Sequence, residues 1–255
     1  TLTLVGTNSY VNTSSAGGMV ALGSTLGSGN LTFTAGNGVT AGVRSTDATA
    51  RTLGNAVVFS SGNATNTYIF GAATGGTGDL GFTSTTAIAL GTVIRKFEVN
   101  STTRFAAAFT GTGAGINKTG NGTLILNGSS TYTGGTTVTN GTLGGAGTLA
   151  GTTSALAGTT IAPGDAGIGT LHTGAVTVAG TFAVEVDGAN CDKLASTGAI
   201  DLTGANLTVS LLGGFTGPYV IAEGTSVVIT FQALRATFPR FSMTYNRNDG
   251  AFSMT

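Results

Sequence analysis

The stretch GINKTGNGTLILNGSSTYTGGTTVTNGTL, residues 115–143, decides the fold class. It holds two short runs of β-branched or alternating apolar residues, Thr123–Leu126 and Thr136–Thr139, which Gly, Asn, Ser and Thr separate. Runs of this kind are typical of strands, and the separating residues are typical of tight turns. Leu124 and Leu126 fall on one side of a strand because side chains alternate along it. The stretch therefore predicts short strands that bury one face in a core and are joined by tight corners.

Similar short runs continue along the chain, with turn residues between them. They include Leu31–Phe33, Ala56–Phe59, Val176–Val178, Phe182–Val186 and Leu207–Leu211. Neither a helical period of useful length nor a linker interrupts them. We therefore predict one continuous all-β architecture.

The composition excludes several classes of protein. Gly (44) and Thr (49) make up over a third of the 255 residues, and both are poor helix formers, which argues against a helical bundle. Hydrophobic residues reach 40% and charged residues only 8%, which argues against disorder. The formal net charge is zero with no basic stripe, so we expect no nucleic-acid partner. No apolar run approaches the ~18 residues that span a bilayer as a helix, so we expect no membrane insertion.

Residues 1–10 and 123–132 form an internal repeat. Five of the ten aligned positions are identical, namely Thr1/Thr123, Leu2/Leu124, Leu4/Leu126, Gly6/Gly128 and Tyr10/Tyr132. A spacing of 122 residues is too long for one solenoid coil, so each unit must hold several coils. We predict repeat units near residues 1–22 and 115–143.

The stretch 115–143 closely resembles the autotransporter-associated β-strand repeat, or passenger-associated transport repeat, of large surface and secreted proteins of Gram-negative bacteria. The specific combination is Lys118-Thr119-Gly120, Thr123-Leu124 and Tyr132-Thr133-Gly134-Gly135-Thr136. Ala162–Asp165 with Ile168–Leu171 looks like the turn that these proteins place before the next coil. Phe182–Gly188 with Cys191–Leu194 is similar to a strand and turn near the end of many passenger domains. The resemblance implies a right-handed parallel β-helix (β-solenoid) displayed outside the cell.

We accordingly predict a parallel β-solenoid over residues 1–204. Residues 205–255 form either terminal solenoid coils or a β cap, and Ile221–Phe231 with Arg235–Tyr245 is the candidate for an antiparallel or swapped element. At about 20–25 residues per coil, we expect about ten to twelve coils.

Glu185 and Asp187 are the best candidates for acid–base or Ca²⁺ chemistry. They stand at i and i+2 on a predicted strand, so they share a face, and Asp192 lies just beyond the next turn. Either chemistry needs carboxylate oxygens that converge. Because the other acidic residues are scattered singly, we favour a solvated strand face with Asp192 capping the turn. We predict no enzyme, and no catalytic, cofactor-binding or metal site.

The remaining candidate sites are weaker. His172 is the only histidine, so it cannot form a typical zinc site, and no nucleophile-elbow pattern supports a triad with Asp165. We interpret His172 as a surface or turn residue. Cys191 is the only cysteine, so an intrachain disulfide is excluded. We interpret it as a residue beside a turn, with an intermolecular disulfide as the alternative. Numerous Asn-x-Ser/Thr sequences reflect turn chemistry, with glycosylation as the alternative.

The first and last residues favour self-association. Thr1–Leu4 and Ala251–Met254 are alternating apolar segments, whereas a solenoid needs polar caps at its ends. The formal charge is +3 over residues 1–159, −4 over 160–204 and +1 over the remainder. We therefore predict head-to-tail contacts through Leu2, Leu4, Phe252 and Met254. Because the chain begins at Thr1 with no signal segment, we expect a removed leader or a larger precursor.

The leading functional hypothesis is a secreted structural protein on or outside a Gram-negative bacterium. Its solenoids would stack on copies of themselves into a filament or surface layer, without a cofactor. The alternative is a passenger-like adhesin stalk that presents a surface to glycans or cells. A polysaccharide-active enzyme on the same scaffold is the least favoured hypothesis.

Overall fold

The computed structural model describes residues 2–4, 13–15, 18–23, 26–27, 29–34, 38–60, 62–230, 233–236, 243–246 and 251–254. All regular structure within these residues is β-strand, and they contain no helix. The strands stack into a parallel β-solenoid of about nine turns, which confirms the predicted fold class. The described part of the chain therefore also has no helix of a length and hydropathy that would cross a bilayer.

The strands are short and follow one another closely along the chain. The first eleven are β1 (Leu2–Leu4), β2 (Thr13–Ser15), β3 (Gly18–Leu22), β4 (Leu31–Phe33), β5 (Thr40–Ser45), β6 (Arg51–Leu53), β7 (Val57–Phe59), β8 (Thr67–Phe70), β9 (Leu80–Phe82), β10 (Ile88–Ala89) and β11 (Ile94–Val99). The next eleven are β12 (Thr103–Phe105), β13 (Phe109–Thr110), β14 (Gly115–Thr119), β15 (Thr123–Leu126), β16 (Ser129–Ser130), β17 (Thr136–Val138), β18 (Thr142–Gly145), β19 (Thr148–Leu149), β20 (Thr153–Ala155), β21 (Thr160–Pro163) and β22 (Thr170–Thr173). The last eleven are β23 (Val176–Val178), β24 (Thr181–Gly188), β25 (Asn190–Cys191), β26 (Lys193–Ser196), β27 (Ala199–Thr203), β28 (Asn206–Phe215), β29 (Tyr219–Glu223), β30 (Ser226–Thr230), β31 (Ala233–Ala236), β32 (Met243–Asn246) and β33 (Ala251–Met254).

Three long sheets run along the solenoid. The first sheet has the order β1-β3-β5-β8-β11-β14-β17-β20-β23-β27-β30, and the second has the order β6-β9-β12-β15-β18-β21-β24-β28-β31. The third has the order β16-β19-β22-β26-β29-β33-β32, and the shorter sheets β2-β4-β7 and β10-β13 precede it along the chain. The two segments of the internal repeat occupy different faces, because β1 lies in the first sheet and β15 in the second.

The coils differ in length because their corners differ. In the first sheet Thr136 is in register with Thr153, a coil of 17 residues, whereas Thr67 is in register with Lys96, a coil of 29 residues. Much of the longer coil is the corner 71–79 between β8 and β9. Coil length thus extends beyond the expected 20–25 residues in both directions, and the solenoid has about nine turns where ten to twelve were expected.

The last described strands combine parallel and antiparallel pairing. β30 pairs parallel with β27 and β31 pairs parallel with β28, so the solenoid pairing continues beyond residue 204. β33 pairs antiparallel with both β29 and β32. The antiparallel element is therefore the β32–β33 pair on β29. The candidate segment Ile221–Phe231 with Arg235–Tyr245 was largely wrong, because its strands β30 and β31 pair parallel.

The core changes character along the solenoid. Between residues 33 and 109 it is an aromatic stack of Phe33, Phe59, Tyr68, Phe70, Phe82, Phe97, Phe105 and Phe109. Phe82 and Phe105 are in register on β9 and β12, and their rings stack with centroids 4.5 Å apart. In the later coils the core is mainly aliphatic, with Leu124 and Leu126 fully buried as predicted. Each coil thus buries its apolar residues against the coils next to it.

Candidate functional site

Lys118 joins two neighbouring corners of the solenoid. Ile116 and Lys118 point into the interior from β14 because they are two residues apart, and both are fully buried. The ammonium Nζ donates hydrogen bonds to the carbonyl oxygens of Thr119, Gly120 and Asn140, at 3.3, 2.7 and 2.8 Å. Burial lowers the pKa of Lys118 to about 8, whereas the three acceptors favour the ammonium, which alone supplies three N–H donors. The side chain therefore ties the corner after β14 to the corner after β17.

The corner after β17 has no room for a side chain at position 141. Gly141 has a φ of +70°, and a Cβ built there would lie 2.7 Å from Nζ of Lys118 and 2.5 Å from the carbonyl oxygen of Gly122. A backbone with positive φ and this close approach both require glycine. The Lys-Thr-Gly and Asn-Gly elements of the sequence are thus two halves of one contact between coils.

Tyr132 fixes the corner that leads back to the first sheet. Its ring is fully buried, and its hydroxyl is hydrogen-bonded to the hydroxyl of Thr136. Burial raises the pKa of Tyr132 to about 12, so the phenol stays protonated. The adjoining Gly134 N–H donates to the carbonyl oxygen of Ala114 in the preceding coil, at 2.6 Å. This part of the repeat also serves contacts between coils.

Asp192 holds two segments together from a buried position. Its Oδ1 accepts from the Gly169 N–H at 2.8 Å, and its Oδ2 accepts from the Glu185 N–H at 2.9 Å. The sequence predicted that Asp192 caps the preceding turn, but its two N–H donors lie outside that turn, and the carboxylate is buried. Burial, helped by the negative charge of Glu185, raises the pKa of Asp192 to about 6 despite the two N–H donors.

Residues 164–169, here called the strap, link β21 to β22 and fold back over the outer face of the second sheet. Asp165 Oδ1 accepts from Arg104 Nε at 2.8 Å, and its Oδ2 accepts from Asn127 Nδ2 at 2.8 Å. Arg104 lies on β12, three strands before β21 in the sheet. Arg104 also donates through Nη1 to Asp79 Oδ2 at 3.1 Å. The segment expected to be only a turn before the next coil therefore braces three preceding coils.

A groove of about 300 Å³ lies beside the strap on the outer face of the second sheet. The outward side chains of Ile125, Ala162 and Ala183 form its floor, and residues 163–167 form one wall. Thr102, Arg104 and Thr123 lie towards β12 and β15, and Glu185, Asp192 and Ser210 lie towards β24 and β28. The groove therefore crosses the strands and runs in the direction in which the coils stack.

Residues 116–144 match the family model of the passenger-associated-transport-repeat. The chain carries a passenger-associated transport repeat. A comparison with curated proteins finds no significant match. The repeat and the β-solenoid fit a passenger-type protein, and the repeat indicates a secreted or surface location. Lys118 and Tyr132, which are prominent in the repeat, both lie inside the solenoid.

Glu185 and Asp187 share the outer face of β24, as predicted. Glu185 is half-buried and lines the groove, whereas Asp187 is exposed beyond it. Asp192 is occupied by two backbone N–H groups, so the three carboxylates do not form one convergent cluster. Within the described ranges, no group of three or more His, Cys, Asp or Glu side chains is placed to hold a metal ion.

His172 and Cys191 have ordinary surroundings. His172 is exposed on β22, in register with Thr148 and Ala195. Cys191 is half-buried, and its thiol donates to the Val220 carbonyl oxygen at 3.5 Å. Burial raises the pKa of Cys191 to about 11, so the thiol is protonated at neutral pH and poorly suited to disulfide exchange.

The four residues predicted for self-association lie in two strands that differ in their position within a sheet. Leu2 and Leu4 belong to β1, the outermost strand of the first sheet in the described part of the chain. Phe252 and Met254 belong to β33, which lies between β29 and β32. The role of these residues in self-association stays a prediction.

Three structural roles of residues in the described part of the chain were not predicted from the sequence. Lys118 is in phase with Ile116, and Arg95 is in phase with buried Phe97, so alternation was a signal that both point inwards. Arg95 donates from Nε to the Leu90 carbonyl oxygen at 2.7 Å and from Nη1 to the Tyr68 hydroxyl at 2.8 Å. The third role, the contact of the strap with Arg104, had no local signal.

Proposed function

We propose that the chain is a structural rod of a secreted, passenger-type protein, whose coils stack end to end with further coils of the same kind. The observation that supports this is what the characteristic residues of the repeat contact. Lys118, Gly141 and Gly134 serve contacts between one coil and the next, and Tyr132 is buried against Thr136 of its own coil, so these residues do not form an exposed reactive site. A repeat built in this way propagates a solenoid, because each coil is stabilised by its neighbours.

The outer surface supports the same proposal. Thr123, Thr142, Thr160 and Thr181 stand in register along the outer face of the second sheet, and all are partly exposed. Threonine suits such a face because its methyl group packs on the sheet and its hydroxyl meets water. The surface therefore carries short, uncharged polar groups, as befits a durable extracellular rod.

End-to-end stacking is supported by the outermost strands of the sheets. Within the described residues β1 and β31 each pair with one neighbour in their sheet, which leaves one edge of each available to another strand. An open edge of parallel strands is a template for pairing with a further coil. A contact between unlike ends gives a filament when it does not close into a ring.

Electron microscopy and light scattering of the purified chain at low micromolar concentration test this proposal. We expect filaments with a regular axial repeat from the wild type and from Thr137→Asp, whose substitution lies on an outer face. Leu2→Asp with Leu4→Asp places charges on β1 and is expected to leave dispersed rods. Dispersed monomeric rods of the wild type would contradict end-to-end stacking.

A further inference from the structure

We propose that the groove beside the strap binds an uncharged oligosaccharide that lies along the solenoid axis. The site goes beyond the structural role, because the groove is formed by residues of a single chain and does not require stacking. Its floor, its polar groups and its charge each point to this class of ligand.

Apart from Arg104, the polar side chains that line the groove are carboxylates and hydroxyls. Glu185 is half-buried, and its carboxylate forms no hydrogen bond or ion pair within the described residues. Thr102, Thr123 and Ser210 add hydroxyl groups, which both donate and accept hydrogen bonds. A ligand rich in hydroxyl groups supplies the donors that Glu185 lacks and pairs with the three hydroxyls.

The charge of the groove disfavours an acidic ligand. Arg104 is the cation that lines it, and this guanidinium is paired with both Asp79 and Asp165. Glu185 and Asp192 then leave the opposite side negative or neutral. Uronic acid polymers and sulfated sugars would meet carboxylates without a free cation, so the ligand is uncharged.

The shape of the groove favours a sugar chain over a peptide. The groove crosses β12, β15, β21, β24 and β28, whose backbone groups are already paired with neighbouring coils, so an extended peptide finds no open ladder there. Adjacent coils lie about 4.8 Å apart, and one ring of a 1,4-linked pyranose chain advances by a comparable distance. The small side chains of Ala162 and Ala183 leave room for the C–H face of such a ring.

Isothermal titration calorimetry and saturation-transfer NMR on the full chain test the proposal. The probes are cellohexaose, maltohexaose and mannohexaose, with hexagalacturonate as the acidic counterpart. We expect at least one neutral hexaose to bind and hexagalacturonate not to bind. Ala183→Leu fills the groove from its floor and is expected to weaken binding at least about tenfold.

A matched control separates the groove from the rest of the coil. Thr177 is exposed on the first sheet in the same coil as Ala183, so Thr177→Leu adds apolar volume outside the groove and should leave binding unchanged. Glu185→Ala removes the acceptor and should weaken binding several-fold, which provides a second variant if Ala183→Leu does not fold. Absence of binding by all three neutral probes would overturn the proposal. So would binding that neither groove variant affects, or tighter binding of hexagalacturonate.

Discussion

Lys118 places an ammonium group inside the solenoid. There it donates the hydrogen bonds that three carbonyl oxygens would otherwise accept from water. Lys118→Met keeps most of the aliphatic stem and leaves the carbonyl groups of Thr119, Gly120 and Asn140 without this donor. We expect a loss of about 2–3 kcal/mol in the free energy of unfolding, since hydrogen bonds to charged groups are stronger than average. Denaturant unfolding followed by circular dichroism measures the change.

Lys96→Met is the matched control for this prediction. Lys96 is exposed on the outer face of β11, so its replacement should change stability by less than about 0.5 kcal/mol. Equal stability of Lys118→Met and Lys96→Met would show that the three contacts contribute nothing.

Asp192 gives the protein a specific pH dependence. Its pKa is raised in the fold from 3.8 to about 6, so the folded protein holds this proton more tightly than the unfolded chain. The resulting stabilisation, up to about 3 kcal/mol, is complete below about pH 4 and is lost as the pH rises through about 6. Asp192→Asn lacks this titration, although it also replaces one acceptor of an N–H group by a donor.

The measurement for Asp192 is the free energy of unfolding of both proteins from about pH 4 to about pH 7. We expect the advantage of the wild type over Asp192→Asn to shrink as the pH rises across this window. A difference that stays constant with pH would mean that the carboxylate is already ionised throughout.

Alternation along strands predicts much at the scale of single residues. It correctly placed Leu124 and Leu126 in the core and put Glu185 and Asp187 on one face. The same rule applied to Lys118 would have placed it inside, but a lysine is rarely buried, so composition argued the other way. Only the structure shows that the carbonyl groups of two corners meet at its ammonium.

The strap is the element whose contacts were predicted least well from the sequence. Its likeness to a turn was visible, but Asp165 pairs with Arg104, which lies 61 residues earlier. No local pattern encodes such a contact, because it depends on how many coils lie between the two segments and on the direction in which the strap folds. The groove beside it was invisible for the same reason.

Asp165→Asn should release the strap without unfolding the solenoid. The substitution weakens the contacts with Arg104 and Asn127, while Arg104 keeps Asp79 as a partner. Since these ion pairs are partly exposed, we expect at most about 1 kcal/mol of lost stability. Hydrogen exchange of residues 164–169 should become faster, as measured by mass spectrometry.

Asp79→Asn separates the effect on the strap from the effect on Arg104. It removes the other carboxylate partner of the same guanidinium but leaves both contacts of Asp165 in place. Exchange in the strap should therefore stay close to that of the wild type. If Asp79→Asn accelerated it as much as Asp165→Asn, the direct contact with Asp165 would not be what holds the strap.

At the scale of the whole molecule, the resemblance and the turn-rich composition predicted the β-solenoid, but not the length of its coils. The length of a coil depends on the length of its corners. No sequence pattern shows that residues 71–79 form a single corner within one coil. The sequence also did not reveal that the core changes from aromatic to aliphatic. That change means that different parts of the rod are stabilised by different contacts.

A solenoid in which each coil packs mainly on its neighbours should respond locally to a core substitution. Phe105→Leu disturbs contacts with the rings of Phe70, Phe82 and Phe109, whose centroids lie 5.4, 4.5 and 5.2 Å away. We expect a loss of about 1–2 kcal/mol and faster hydrogen exchange in β9, β12 and β15, with β24 and β28 unchanged. Phe182→Leu, in the later coils, should give the reverse pattern, with faster exchange in β21, β24 and β28. A uniform acceleration along the rod in either variant would instead indicate a single cooperative unit, in which a coil could not be altered without weakening every other.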